Sequence, residues 1–221
     1  IIRPRHVEVQ VFADTQGNFG YALSGRIPVR AEGHSGRFVV PGNGTYDYFD
    51  APDNYIPDEK MPCVINPDRG FISSANNRIT PRGFEYSISQ DYPQMYRAQR
   101  IDSLLSHLTS NGTVTWKDMR NIQMDVKSEL FEDFRIVFTQ LAGNVSKEID
   151  TWREKLVKWD AEEKLYSQEA SIFEMWYYKM GSIVAKETNS VIKNWRDSAF
   201  WVNALRHNDV ACTVSHNKTC L

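Results

Sequence analysis

The sequence is poor in cysteine: its 221 residues contain three, Cys63, Cys212 and Cys220. They form no CxxC pair, and the five histidines (His6, His34, His107, His207 and His216) are scattered. Neither a zinc ribbon nor a disulfide-dense scaffold is therefore readable. No surplus of one charge exists either. Lys and Arg number 26 against 28 Asp and Glu, a net charge of -2. Phosphate binding needs a basic field, so a nucleic-acid partner is not expected. No apolar run approaches the roughly 20 residues that a membrane-spanning helix requires, so no membrane span is expected. A G-x-S-x-G nucleophile elbow is missing, and internal repeats and low-complexity tracts are missing too. Disorder is not expected, because six Trp, ten Tyr and eleven Phe offer large surfaces to bury.

What is present changes period partway along the chain. His6 to Phe12 alternates, with Val7, Val9 and Val11 on one face, which predicts a strand with one buried side. Asp14-Thr15-Gln16-Gly17-Asn18 is a turn, and Phe19 to Leu23 resumes the extended pattern, so the pair reads as a hairpin. Residues 25–60 are rich in Gly, Pro, Asp and Asn, and are expected to form an irregular but packed excursion that hides Phe38, Tyr46, Tyr48 and Phe49. Short strands are predicted at Met61 to Ile65 and at Gly70 to Ala75, around an Asn66 to Gly70 turn.

From Tyr96 onward the period is helical. Ile101, Leu104, Leu105 and Leu108 share a face until Asn111-Gly112 stops the run. Thr115-Trp116-Lys117-Asp118 has the form of a capping box with Asp in place of Glu. Trp116, Met119, Ile122 and Val126 follow on one face, then Leu130, Phe131, Phe134, Val137, Phe138 and Leu141 up to Gly143-Asn144. Ile149, Trp152, Leu156 and Trp159 predict another helix, and Ile172, Phe173, Trp176, Met180, Ile183 and Val184 one more. Phe200, Trp201 and Leu205 suggest a last short segment. All these apolar stripes read as core. The acidic groups Glu129/Glu132/Asp133 and Asp160/Glu162/Glu163 read as solvated helix faces. Strands first and helices second predict an α+β chain rather than an alternating parallel sheet.

Four N-x-S/T sequons begin at Asn43, Asn111, Asn144 and Asn217, beside Gly or in expected loops. Cys212 and Cys220 lie close together in a polar tail, where a small disulfide loop and two ordinary thiols are both open readings. Together these features lean towards a secreted, lysosomal or vacuolar protein of the eukaryotic secretory pathway. Ile1 in place of Met, and the polar ending Thr219-Cys220-Leu221, lead us to expect a piece of a longer precursor.

One stretch carries candidate chemistry. Asn76 and Asn77 close an extended segment, and Arg97 stands where a helix begins. An Asn side-chain N–H can face a developing oxyanion. A guanidinium can fix a carboxylate or neighbouring polar group by its planar fork. The same residues also read as an Asn-Asn turn and a surface ion-pair partner.

The chain resembles the penicillin amidase (penicillin acylase) family of N-terminal-nucleophile hydrolases, in the central part of the β-subunit. The resemblance runs in order through Asp14-Thr15-Gln16-Gly17-Asn18, Gly20-Tyr21, Ser24-Gly25-Arg26-Ile27-Pro28 and Val40-Pro41-Gly42. It continues through Ile65-Asn66-Pro67, Gly70-Phe71-Ile72, Ala75-Asn76-Asn77-Arg78 and Tyr96-Arg97-Ala98-Gln99-Arg100-Ile101. It implies a fragment of an αββα sandwich, with residues 1–221 inside a single β-subunit: a strand- and loop-rich part at 1–95 and a helical part at 96–221. The implied activity is an acylase that cleaves a small-molecule amide through a Ser or Cys at a new chain start, whose own α-amine is its base. On that motif Asn76 falls on the oxyanion-hole Asn and Arg97 on the active-site Arg. The nucleophile and an α-subunit would be other chains or segments of the same processed precursor. No organic cofactor is implied. A structural calcium ion is compatible with the family, with Glu85 or Asp91 as nearby acidic residues. The alternative is a catalytically inactive, glycosylated relative acting as a structural or binding protein.

Overall fold

The computed structural model describes residues 8–47, 54–90, 92–140 and 145–187. They fall into two compact units. Unit 1 takes in residues up to Tyr92 together with Leu105–Thr113, and unit 2 takes in Pro93–Leu104 and the chain from Val114 onward.

Unit 1 contains a three-stranded antiparallel sheet, β1 (Glu8–Ala13), β2 (Phe19–Ser24) and β3 (Cys63–Ile65), in that spatial order. The β1–β2 hairpin pairs Glu8 with Ser24 and Ala13 with Phe19. Its turn is organised by one carboxylate. Asp14 accepts bonds from the Gln16 N–H (2.9 Å), the Asn18 N–H (2.8 Å) and the Asn18 side-chain amide (2.8 Å), while Gly17 takes φ +86°. These bonds hold the Asp14 carboxyl below its ordinary pKa. Asn66, at φ 46°, ties the end of β3 to this turn. Its side-chain Oδ1 accepts from the Phe19 N–H and its side-chain Nδ2 donates to Asn18 Oδ1, both at 2.9 Å. The Ile65-Asn66-Pro67 motif is thus a structural staple. The core of the unit is Leu23, Ile27 and Ile56, with Val9, Met61, Ile79, Tyr86 and Ile88 packed against it.

Several sequence expectations are corrected in this unit. Val9 packs on the core, but Val11 is 67% exposed, so the predicted buried face of β1 is covered only in part. Phe71 to Ala75 forms no strand. Phe71 and Ala75 are buried all the same, because the segment is held by side chains: Arg69 donates from Nε to the Phe71 carbonyl and lies over the Phe71 ring. Phe38 is not hidden in the excursion but 74% exposed. Tyr46 meets His34 in a tilted ring contact with centroids 5.6 Å apart. Tyr48 and Phe49 lie outside the described residues.

The helices follow. They are α1 (Tyr96–Ser110), α2 (Trp116–Gln123), α3 (Glu129–Gln140), α4 (Lys147–Lys158) and α5 (Gln168–Glu187). The expected capping box starts α2: Thr115 and Asp118 exchange side-chain and backbone bonds at the helix start. Ser146 caps α4 in the simpler way. The core of unit 2 is aromatic. Phe131, Phe134 and Phe173 are fully buried among Phe138, Leu156, Trp159, Ala161, Ala170 and Tyr177. Phe131 meets Trp159 at 4.5 Å between ring centroids and Phe173 edge-on at 5.0 Å. Arg135 closes the open end of α4. It donates to the Val157 carbonyl (2.6 Å) and the Trp159 carbonyl (2.8 Å), while its Nε meets Glu132 (2.8 Å). The segment before α3 pairs with the one after α4, with Ser128 N–H on Ala161 O at 2.8 Å and Glu163 N–H on Val126 O at 2.9 Å. The last expected segment, around Phe200 to Leu205, lies outside the described residues. Strands preceding helices make the chain α+β, as the change of period predicts.

Candidate active site

Asn76 sits at the turn that ends the Phe71–Ala75 segment of unit 1. Ala75 is buried, and its N–H donates to Asn77 Oδ1 at 3.0 Å. Asn76 takes φ 63°, in the left-handed region. Asn is one of the few L residues that enter this region readily, because its short polar side chain bonds locally. The turn reading of Asn-Asn is therefore correct, and the turn leaves Asn76 itself exposed.

Arg97 is the second residue of α1, in unit 2, and it too is exposed. Its neighbour Ala98 is buried. Arg97 lines the rim of a groove of about 1120 Å³ within the unit. The groove wall is apolar where Ile101, Leu104, Trp116, Met119 and Ile122 contribute to it. Gln94 also lines it, and the Gln94 Nε2 is buried with no hydrogen-bond partner among the described residues. The groove is thus an apolar trough with Arg97 and Gln94 among its polar lining residues. This corrects the reading of the α2 stripe as core: Trp116 is 69% exposed and Met119 48%.

Of the acidic residues expected on a solvated face, Glu129, Glu132 and Asp133 are held by partners, while Asp160 and Glu163 are exposed as expected. Arg100 grips Asp125 through two bonds, Nε to Oδ1 at 2.9 Å and Nη2 to Oδ2 at 2.7 Å. Its Nη1 stands 3.5 Å from Glu129. This grip holds the Asp125 carboxyl below the ordinary carboxylate range. Asp133 accepts from the Tyr96 hydroxyl at 2.7 Å. Glu132 meets both Arg135 and Lys127. Sequence reasoning missed these residues because Arg100 and Asp125 lie 25 positions apart, beyond any helical or strand period.

The remaining candidates are quickly placed. Asn43 accepts from the Thr45 N–H at 3.2 Å in a turn. Asn111 donates to the His107 carbonyl at 2.8 Å at the end of α1. Asn144, Asn217, Cys212 and Cys220 lie outside the described residues, and so does Asp91. Cys63 is a free, exposed thiol. Glu85 pairs with Lys60 at 3.4 Å. Among the described residues no group of three or more His, Cys, Asp or Glu is placed to hold a metal ion.

Comparison with known proteins gives a consistent picture. The sequence model described as "Penicillin amidase" matches residues 6–219. The "Penicillin acylase 2 proenzyme" of Pseudomonas sp. (strain SE83) is 29% identical over 164 residues, which is 74% of this chain and 20% of that protein. Penicillin G acylase of Escherichia coli is 38% identical over 82 residues, 37% of this chain and 8% of that protein. An acyl-homoserine lactone acylase, QuiP, of Pseudomonas putida is 32% identical over 129 residues, 58% of this chain and 15% of that protein. The solved structure of a thermostable penicillin G acylase from Alcaligenes faecalis superposes with a TM-score of 0.60 at 18% identity, covering 79% of this chain and 32% of that one. That likeness shows a shared fold. The chain spans about a fifth or less of the length of these curated relatives.

These relatives are bacterial, which overturns the eukaryotic secretory or lysosomal localisation. The glycoprotein and disulfide readings find no support in them. A sequon is a three-residue pattern that arises freely in a chain rich in Asn, Ser and Thr, and in a turn those residues satisfy backbone groups, as Asn43 does.

Proposed function

Because the chain belongs to the penicillin amidase family, we propose that it is part of an acylase that removes an acyl group from a small amide. On this reading residues 1–221 are one stretch of a single N-terminal-nucleophile β-subunit. The nucleophile, a Ser or Cys at a new chain start, comes from a part of the protein outside these residues. The word "proenzyme" in the name of one relative, and the fifth of its length matched here, support a longer processed precursor.

The chemistry assigns each group one task. The nucleophile's α-amine takes the hydroxyl or thiol proton, and the freed lone pair attacks the amide carbon. The carbonyl oxygen becomes an oxyanion, towards which the Asn76 side-chain N–H donates. Collapse breaks the C–N bond, and the α-amine returns its proton to the departing amine. Water then attacks the acyl-enzyme and releases the carboxylic acid. Arg97 orients the groups around the nucleophile and the substrate.

The observation that carries this reading is the family match over residues 6–219, and the resemblance of the Asn76 and Arg97 segments to the family's motifs supports it. The test uses the whole processed protein. Sequencing the start of each co-purifying chain should find one that begins with Ser or Cys. Turnover of a chromogenic acyl anilide should be measurable, and Asn76→Ala should lower kcat about 100- to 1000-fold, the usual cost of an oxyanion-hole donor. No chain start of that kind, with no turnover in the unsubstituted protein, supports the catalytically silent relative instead.

A further inference from the structure

We propose that Asp125 and Tyr96 are positioning residues that set the stance of Arg97, an inference that rests on the role proposed for Arg97 above. Tyr96 and Arg100 are four residues apart on α1 and so share one face of the helix. Both are held at their tips. The Tyr96 hydroxyl donates to Asp133 at 2.7 Å. Asp133 belongs to α3, between the fully buried Phe131 and Phe134. The Arg100 guanidinium grips Asp125 through two bonds and reaches Glu129, the first residue of α3.

Asp125 is itself immobilised. Its N–H donates to the Ile122 carbonyl at 3.2 Å and its Oδ1 accepts from Lys127 N–H at 3.3 Å. The adjoining residues pair with the segment after α4: Val126 accepts from Glu163, and Ser128 donates to the carbonyl of the buried Ala161.

Two tethers on one face fix both the position of α1 and its rotation about its own axis. Rotation matters because each residue advances about 100° around a helix. With Tyr96 and Arg100 pinned, the Cα–Cβ direction of Arg97 is set by geometry. Its guanidinium then needs only its own side-chain torsions to reach its working place. Ala98 is buried at the next position. Loss of one tether lets the Arg97 guanidinium wander, and a misplacement of about 1 Å in a reacting constellation costs up to about 100-fold in rate.

The test is a double-mutant cycle in the whole processed enzyme, read as kcat and KM on an acyl anilide. Asp125→Asn keeps the shape of the side chain and removes the charge that grips Arg100. It should lower kcat about 10- to 100-fold with a smaller change in KM. In an Arg97→Ala background the same change should cost less than about twofold, because the group it positions is already gone. Tyr96→Phe repeats the cycle from the other tether and keeps the question open to measurement if Asp125→Asn fails to fold. Equal costs in both backgrounds overturn the proposal and leave a merely structural ion pair. Wild-type turnover by Arg97→Ala overturns the role of Arg97 itself, and the positioning role with it.

Discussion

Asn76 combines two properties that substitution can separate. Its φ of 63° favours Asn or Gly over other residues. Its side-chain amide is the proposed oxyanion donor. Asn76→Ala removes the donor and also places a Cβ-bearing apolar residue in the left-handed region, at a cost of about 1 kcal/mol. Asn76→Gly removes the donor and keeps the backbone at ease. Both variants are expected to lose turnover, while only Asn76→Ala loses thermal stability, as read by calorimetry of the whole protein. A Gly variant with full turnover would show that Asn76 serves the turn alone. Gly20 is a second position where one atom decides. A Cβ built there would lie 2.5 Å from the Val64 carbonyl oxygen and 2.6 Å from the Phe12 ring. Gly20→Ala therefore drives β2 away from β3, with an expected loss of about 1–3 kcal/mol. Hydrogen exchange at Tyr21 and Val64, which face each other across β2 and β3, should rise if the contact is as described.

The helices were legible in the sequence because their signals are local. Thr115 and Asp118 are three residues apart, and the stripes of α3, α4 and α5 repeat at the helical period within one element. The Phe71–Ala75 segment was not legible as a loop, since strand composition says nothing about whether a partner strand is present. Arg135 was equally hidden. Its targets, Val157 and Trp159, lie 22 and 24 positions away. Removing it leaves two carbonyls at the α4 end without this donor and Glu132 with Lys127 alone. Arg135→Met is expected to cost about 1.5–3 kcal/mol, measured by urea unfolding. The tether at Asp125 adds a pH dependence. Arg100 depresses the carboxyl in the folded state, whereas unfolding returns it to about 3.9. The stabilisation is thus complete above that ordinary value and is lost as pH falls through the lower folded one. Asp125→Asn should flatten the acid limb of a melting-temperature profile below about pH 4 and leave its shape unchanged near pH 7.

At the scale of the whole molecule, the sequence revealed the family, because its short motifs come in order, and Asn76 and Arg97 are proposed from that resemblance. It did not reveal the groove. The stripe Trp116, Met119, Ile122 and Val126 has the spacing of a core-facing helix, and spacing cannot say what covers it. Among the described residues Trp116, Met119 and Val126 are exposed and Ile122 half-buried, and all four line the groove beside Arg97. Apolar surface of this kind is costly to leave in water, at about 25 cal/mol per Å², and contiguous patches mark places where something binds. The chain matches only 20% of a proenzyme relative, and on the proposed reading the rest of a longer protein shields this surface. Residues 1–221 expressed alone should therefore bind a hydrophobic dye such as anilinonaphthalene sulfonate and self-associate with rising concentration. The whole processed protein should do neither. Tryptophan quenching by acrylamide sharpens the comparison, since Trp116, 69% exposed here, becomes less accessible in the whole protein. A Trp116→Gln variant should weaken dye binding by the isolated stretch. Equal dye binding and equal quenching in both forms would mean that the α2 face stays open to solvent in the mature protein. The groove would then be available to ligands directly rather than roofed by other parts of the chain.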